Sequence, residues 1–400
     1  AARLIEEAGG SVNAATSFDY TSYICDLPAK HWKLGLDVLA DMVFHPAIGE
    51  EELRTEKEVV LAELERGEDS PSSRLFKTMQ RKTWKGTPYA HPIIGFRDTV
   101  ETMTRDDIMA YIGRLYQPRS MLLVALGDID PDQVLAEAKQ LFGDVRNDAT
   151  LEEAAPASLP DQTAPGVSIT RGNWNKAYMT VAFPIPCFRD PQNVAFEVLA
   201  HMMGGDKSSL LYRHFQYKKG LVYDISMSAL TLERAGMLYL HATLDPAKLE
   251  PFWQELMKTF ASLSVDDFSD EALERATLNL EDSLYRAKET YSEFASKLAY
   301  FQFFEQGAVS EAEYLHNLKY LHRDELQAAL TQWLRPDQLS AVLLLPEAAE
   351  GEEAAVGDLE KSLAQQVETL WGGGKERAEK VVSNGNNTTP ERVALPHGHE

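Results

Sequence analysis

The chain has 400 residues, 44% hydrophobic and 9% aromatic, with a formal net charge of −23. That length exceeds one ordinary core and implies two domains or more, and the acidic balance argues against nucleic acid or an anionic membrane as main partner. Two cysteines, Cys25 and Cys187, make neither a disulfide framework nor a structural zinc cluster, and no apolar run reaches the length of a membrane span.

The opening AARLIEEAGG reads as a helix that stops at Gly9-Gly10. Alternation over 11–27 predicts a strand pair or one long strand. Helices are expected near 31–44, 50–68, 71–84, 105–115 and 131–141, with an apolar strand over 121–126. The stretch 146–166, rich in Ala, Pro and acidic residues, marks a boundary. Beyond it, strands are expected near 177–183, 222–228, 236–243 and 339–345. Helices are expected near 193–203, 208–217, 246–263, 270–289, 291–304 and 323–334. This order of strands and helices predicts an α+β fold.

An internal repeat supports two domains of one fold. Arg105-Asp106-Asp107-Ile108-Met109-Ala110 precedes Pro118 and the strand 121–126; Arg323-Asp324-Glu325-Leu326-Gln327-Ala328 precedes Pro336 and the strand 339–345. The expected division is a first domain over 1–145, a linker over 146–166, a second domain over 167–346 and an inter-half linker over 347–391. Residues 392–400 read as the start of a following half, and both ends read as cuts in a longer polypeptide.

The predicted helix 50–68 carries the most informative residues. At about 100° per residue, Leu53, Val60 and Leu64 point one way, and Glu56 and Glu63 fall between Val59 and Val60. A carboxylate facing a core costs several kcal/mol unless it is paired, protonated or metal-bound. Helical geometry alone still favours an ordinary solvated glutamate face over a metal or catalytic role. No H-x-x-E-H or H-E-x-x-H is present; His201 and His241 read as core histidines, and His397-Gly398-His399-Glu400 reads as a polar turn.

Several runs resemble the pitrilysin, insulin-degrading enzyme and mitochondrial processing peptidase family, the inverzincins. Residues 9–23, GGSVNAATSFDYTSY, resemble the strand after that family's active-site helix. Phe44-His45-Pro46, Glu56-Lys57-Glu58-Val59-Val60-Leu61-Ala62-Glu63, His91-Pro92-Ile93-Ile94-Gly95 and Gly127-Asp128-Ile129-Asp130-Pro131 continue the pattern. So do Ser208-Ser209-Leu210-Leu211-Tyr212-Arg213 and Lys219-Gly220-Leu221-Val222-Tyr223. The resemblance covers nearly the whole chain.

What the resemblance implies is a zinc metalloendopeptidase that cleaves unfolded peptides or small proteins inside a clamshell chamber. Its fold would be two homologous domains, each a mostly antiparallel sheet packed with helices. Glu63 would be the third zinc ligand, and Glu56 would support the site from behind it. Asn13, Ala14 and Ala15 would lie on the edge strand that pairs with substrate. Tyr223 would reach the substrate from the second domain. Arg392-Val393-Ala394-Leu395-Pro396-His397-Gly398 resembles the opening of a family half, which implies a second two-domain half in the same polypeptide. The periplasm is the compartment the resemblance suggests; composition leaves it open.

Two departures matter. The H-x-x-E-H helix, with its two histidine ligands and general base, is expected upstream of Ala1, so this chain alone is expected to be inactive. Gln216 stands where the family often has arginine, with Arg213 one turn earlier as a substitute. The alternative reading is a non-catalytic member that serves as a chamber wall or assembly subunit.

Overall fold

A computed structural model describes residues 2–145, 162–304, 311–347 and 356–372. The first domain opens with α1 (Ala2–Glu7) and an antiparallel hairpin, β1 (Ser11–Thr16) and β2 (Thr21–Asp26). Six helices follow: α2 (Trp32–Phe44), α3 (Glu50–Asp69), α4 (Pro71–Thr83), α5 (Arg97–Thr102), α6 (Arg105–Leu115) and α7 (Pro131–Phe142). Ser70 turns the chain sharply between α3 and α4: it ends one helix in an extended conformation and accepts from the Ser73 N–H to cap the next, with Pro71 at its first position.

The second domain is built on a five-stranded sheet. Its strands are β3 (Gly166–Gly172), β4 (Ala177–Ile185), β5 (Asp224–Thr231), β6 (Gly236–Leu244) and β7 (Ser340–Pro346), ordered β3-β7-β4-β6-β5. Only β3 and β7 run parallel; the other neighbours are antiparallel. Between the strands lie α8 (Asn193–Gly204), α9 (Leu249–Ser262), α10 (Asp270–Arg286), α11 (Tyr291–Phe304), α12 (Glu311–Lys319) and α13 (Arg323–Trp333). Residues Tyr212–Lys218, expected as ordinary helix, form a π-helical turn. The expected α+β class with a mostly antiparallel sheet is what the structure has.

Alternation along the strands divides two cores. Met179, Val181 and Phe183 of β4 and Ala341, Leu343 and Leu345 of β7 face the main core with α8 and α9. Ala182, Met237, Val342 and Leu344 point to the opposite face, where Leu75, Met79 and Trp84 of the first domain cover them. A strand covered on both faces loses its polar alternation, which is why β7 reads as an unbroken apolar run. Its second cover is α4, from the other domain.

Two expectations are corrected. Residues 121–126 form no strand, although the repeat places them after α6 as β7 follows α13. In the second domain β7 pairs with β3 and β4, both earlier in the chain; among the described residues 121–126 has no such neighbours. A strand without a ladder leaves its backbone groups to water. The second correction lies in 347–391, read as linker. It contains α14 (Val356–Trp371), a sixteen-residue helix that buries Leu363, Val367 and Trp371 against the second domain. Trp253 Nε1 donates to the Leu363 carbonyl at 3.1 Å, and Glu360 Oε1 accepts from the Ile169 N–H at 2.7 Å. The second domain therefore runs on through Trp371. Residues 146–161 of the first linker and 373–400, on which the expected following half rests, lie outside the described residues.

Candidate functional site

Helix α3 begins with Glu50, Glu51 and Glu52, whose charges oppose the positive end of the helix dipole. Its packed stripe is Leu53, Lys57, Leu61 and Leu64, laid against α5; of these Leu64 is fully buried. Lys57 Nζ ties that contact by donating to the Glu101 and Met103 carbonyls at 2.6 and 3.0 Å. Val60 is half-buried beside it, so the packed arc keeps the predicted Leu53, Val60 and Leu64 and extends toward Lys57 and Leu61 rather than toward the exposed Val59.

Where that arc ends changes the reading of the two glutamates. Glu56 and Glu63 are exposed rather than inward, and Val59 beside them is 50% exposed. The expectation of two carboxylates buried in an apolar face is thus overturned. They also lack partners among the described residues, as do Glu50 and Glu52 in the first turn of the helix. Glu51 and Glu58 pair with Arg54 at 2.5 and 2.7 Å, and Glu65 pairs with Arg97 at 2.7 Å. Those three follow a seven-residue spacing of their own. Glu56 and Glu63, also seven apart, have no hydrogen bond or ion pair among the described residues.

Asn13, Ala14 and Ala15 lie on β1, exposed, with β2 on one side and no strand on the other among the described residues. The turn closes with Ser17 N–H donating to the Tyr20 carbonyl at 2.8 Å. Alternation from that pair aims the Ala14 N–H away from β2, toward the free edge. Asn13 Oδ1 accepts from that same N–H at 2.9 Å. The edge is thus open apart from a local side-chain cap.

Tyr223 precedes β5 in the second domain and is 53% exposed. Its ring carries Lys176 Nζ at 4.6 Å and its N–H donates to the Thr243 carbonyl at 2.7 Å. Both partners belong to the second domain, and no contact joins Tyr223 to Asn13–Ala15 among the described residues. Gln216 is half-buried on the π-helical turn and Arg213 is exposed. His201 meets Asn279 Nδ2 at 2.9 Å, and burial pushes the His241 imidazole below its ordinary range.

Catalytic zinc takes three protein ligands and keeps one position for water. Among the described residues no three His, Cys, Asp or Glu side chains come together to hold a metal. The described residues do not form a zinc site by themselves. No described helix is long and apolar enough to cross a membrane.

A residue missed in the sequence is Asp19, at the tip of the hairpin. Its carboxylate accepts from Tyr89 Oη at 2.5 Å and from the Glu233 N–H of the second domain at 2.9 Å. Phe18 beside it packs edge-on to Trp84 and Tyr89. Phe-Asp-Tyr between alternating runs signals a turn, and nothing in that signal reports what the turn touches.

Comparison with known proteins places this architecture. Residues 1–96 match the family described as Insulinase (Peptidase family M16), and residues 102–280 match Peptidase M16 inactive domain. An uncharacterized zinc protease of Rickettsia felis is 26% identical over 286 residues, 71% of this chain and 68% of that protein. The uncharacterized zinc protease YmxG of Bacillus subtilis is 26% identical over 291 residues, 72% of this chain and 69% of that protein. The fold is shared with a protease from Helicobacter pylori, with TM-score 0.76, 22% identity, and coverage of 86% of this chain and 84% of that one. A Pseudomonas fluorescens M16 inactive domain also has TM-score 0.76, at 16% identity, over 87% of this chain and 83% of that one. The two family matches follow one another along the chain: the chain belongs to peptidase family M16, the insulinase family.

Proposed function

We propose that this chain is part of a zinc metalloendopeptidase acting on unfolded peptides, with Glu63 as one metal ligand and Glu56 supporting it. The observation that carries the reading is the unpartnered pair on the exposed face of α3, beside an exposed valine, on a helix whose Glu51, Glu58, Glu65 and Glu68 are ion-paired. Relatives named zinc proteases support the metal. The free edge of β1 supports the substrate mode: an extended peptide adds there as a strand, held by backbone hydrogen bonds and tolerant of sequence. Such a peptide takes the Ala14 N–H from Asn13 Oδ1. The second domain, matched to a family domain termed inactive, serves in this reading as chamber wall, with Tyr223 facing substrate.

The test joins an H-x-x-E-H segment ahead of Ala1 and measures bound zinc and cleavage of an unfolded peptide, with and without chelator. Zinc-dependent cleavage is expected, and Glu63→Gln is expected to lower zinc content at least tenfold. Chelator-insensitive cleavage, or unchanged zinc in Glu63→Gln, overturns the assignment. The non-catalytic alternative gains support if zinc binds stoichiometrically and no peptide is cut.

A further inference from the structure

A groove of about 780 Å³ lies between the C-terminal half of α3, helix α4, the 92–97 loop and Thr170 of the second domain. Its α4 wall presents Arg74, Lys77, Thr78 and Arg81, positions that fall on one side of that helix. Lys77 is engaged by Glu68 at 3.3 Å, and Arg97 across the groove by Glu65 at 2.7 Å. Arg74 and Arg81 have no carboxylate partner among the described residues. Each guanidinium instead lies over an aromatic ring, Arg74 over Trp174 at 5.8 Å and Arg81 over Phe96 at 5.7 Å.

We propose that this groove binds an acidic, extended peptide segment, with two of its carboxylates on Arg74 and Arg81. A guanidinium backed by a ring keeps its planar edge free for a bidentate carboxylate, and the ring limits the entropy lost on binding. Seven residues of helix separate the two forks by roughly 10 Å. A polyproline-like peptide repeats its face every three residues, roughly 9 Å, so acidic residues at i and i+3 match the pair. Leu64, Pro92 and Phe96 accept apolar side chains between them, and the Thr78 and Thr170 hydroxyls face the same space. Glu65, Glu68 and Asp69, which line the same groove, oppose a dense polyanion such as triphosphate while tolerating two spaced single charges. The site draws on neither zinc nor Glu63.

The experiment titrates the full chain with a fluorescein-labelled peptide containing Glu-Ala-Pro-Glu and with its Gln-Ala-Pro-Gln counterpart, followed by anisotropy. The Glu peptide is expected to bind at least tenfold more tightly. Arg74→Gln and Arg81→Gln should each weaken it about tenfold, the loss of one charge-assisted hydrogen-bonded contact. Arg66→Gln, on α3 outside the groove, should leave it unchanged. Arg81→Lys keeps the charge and loses the fork, so it should also weaken binding. Equal binding of the two peptides, or wild-type affinity in both glutamine variants with melting temperatures unchanged, overturns the proposal. Displacement by inorganic triphosphate at lower concentration than by unlabelled Glu peptide overturns the peptide class in favour of a small polyanion.

Discussion

Asp19 in the first domain accepts a hydrogen bond from the backbone N–H of Glu233 in the second, at 2.9 Å, while its other oxygen holds Tyr89 Oη at 2.5 Å. Burial and the Asp19 charge together push the Tyr89 hydroxyl well above its ordinary range. Glu233 is itself held by Arg189 at 3.4 Å, which also donates to the Phe304 carbonyl. The tip of the hairpin that carries Asn13–Ala15 is therefore clamped across the domain boundary. Asp19→Ala removes the acceptor of two charge-assisted bonds and should cost about 2–4 kcal/mol. Urea unfolding reads the loss, and hydrogen exchange should show faster opening of 11–26. Unchanged protection there would remove Asp19 from that role.

Gln80, 2% exposed on α4, donates from one Nε2 to the Tyr89 and His91 carbonyls, both at 2.7 Å. Gln80→Leu keeps the apolar volume and leaves two enclosed carbonyls without a donor. The expected loss is about 2–3 kcal/mol, measured by denaturant midpoint. A change under half a unit of that scale would mean that water replaces the amide.

Trp371 on α14 packs edge-on to Phe183 at 5.8 Å and lies 5.4 Å from Phe260. If α14 is an integral layer of the second domain, Trp371→Ala should destabilise by about 3–5 kcal/mol, the usual cost of an aromatic cavity. Removal of residues after 347 should then destabilise the chain at least as much. A truncated chain as stable as the parent contradicts this.

Glu197 on α8 is largely enclosed, accepting from Tyr314 Oη and from Asn193 Nδ2 at 3.0 Å. Burial pushes its carboxyl above the ordinary range, against the pull of those two hydrogen bonds; burial also pushes the neighbouring Tyr300 hydroxyl up to about 12. A raised folded-state pKa means that the stabilising contribution is full below the unfolded value, about 4.3. It is lost as pH rises through the raised folded value. Asn193 Oδ1 is buried without a partner, and a neutral amide at 197 can donate to it once the Asn193 amide is turned. Glu197→Gln should therefore be more stable than the parent at pH 8 by roughly 1 kcal/mol, and similar at pH 4. Urea unfolding at both values decides the sign.

Much of the fold was legible because it is written in local periodicity. Helix α6 over Arg105–Leu115 and helix α11 over Tyr291–Phe304 begin and end where the pattern predicts. In α6 the start is local chemistry, a capping box between Thr104 and Asp107. Helix α14 escaped because its flanks are acidic and Gly-rich, and those flanks dominated the reading of 347–391. Strand β3 escaped because Gly166–Gly172 is short and carries Ser, Thr and Arg, residues that pair and pack only once β7 lies alongside.

The sequence by itself determined most helices and strands, the α+β class and the seven-residue spacing of Glu56 and Glu63, since each depends on residues close in the chain. Which way those glutamates face was decided by tertiary packing. α5 takes the Leu53, Lys57, Leu61 and Leu64 side of α3, so the packed arc ends at Val60 and leaves Glu56, Val59 and Glu63 in solvent. Packing also laid α4 on the far side of the second domain's sheet and left Arg74 and Arg81 on the wall of a groove with no carboxylate partner among the described residues. Burial is a property of what lies opposite, and one helix's pattern cannot name its neighbour.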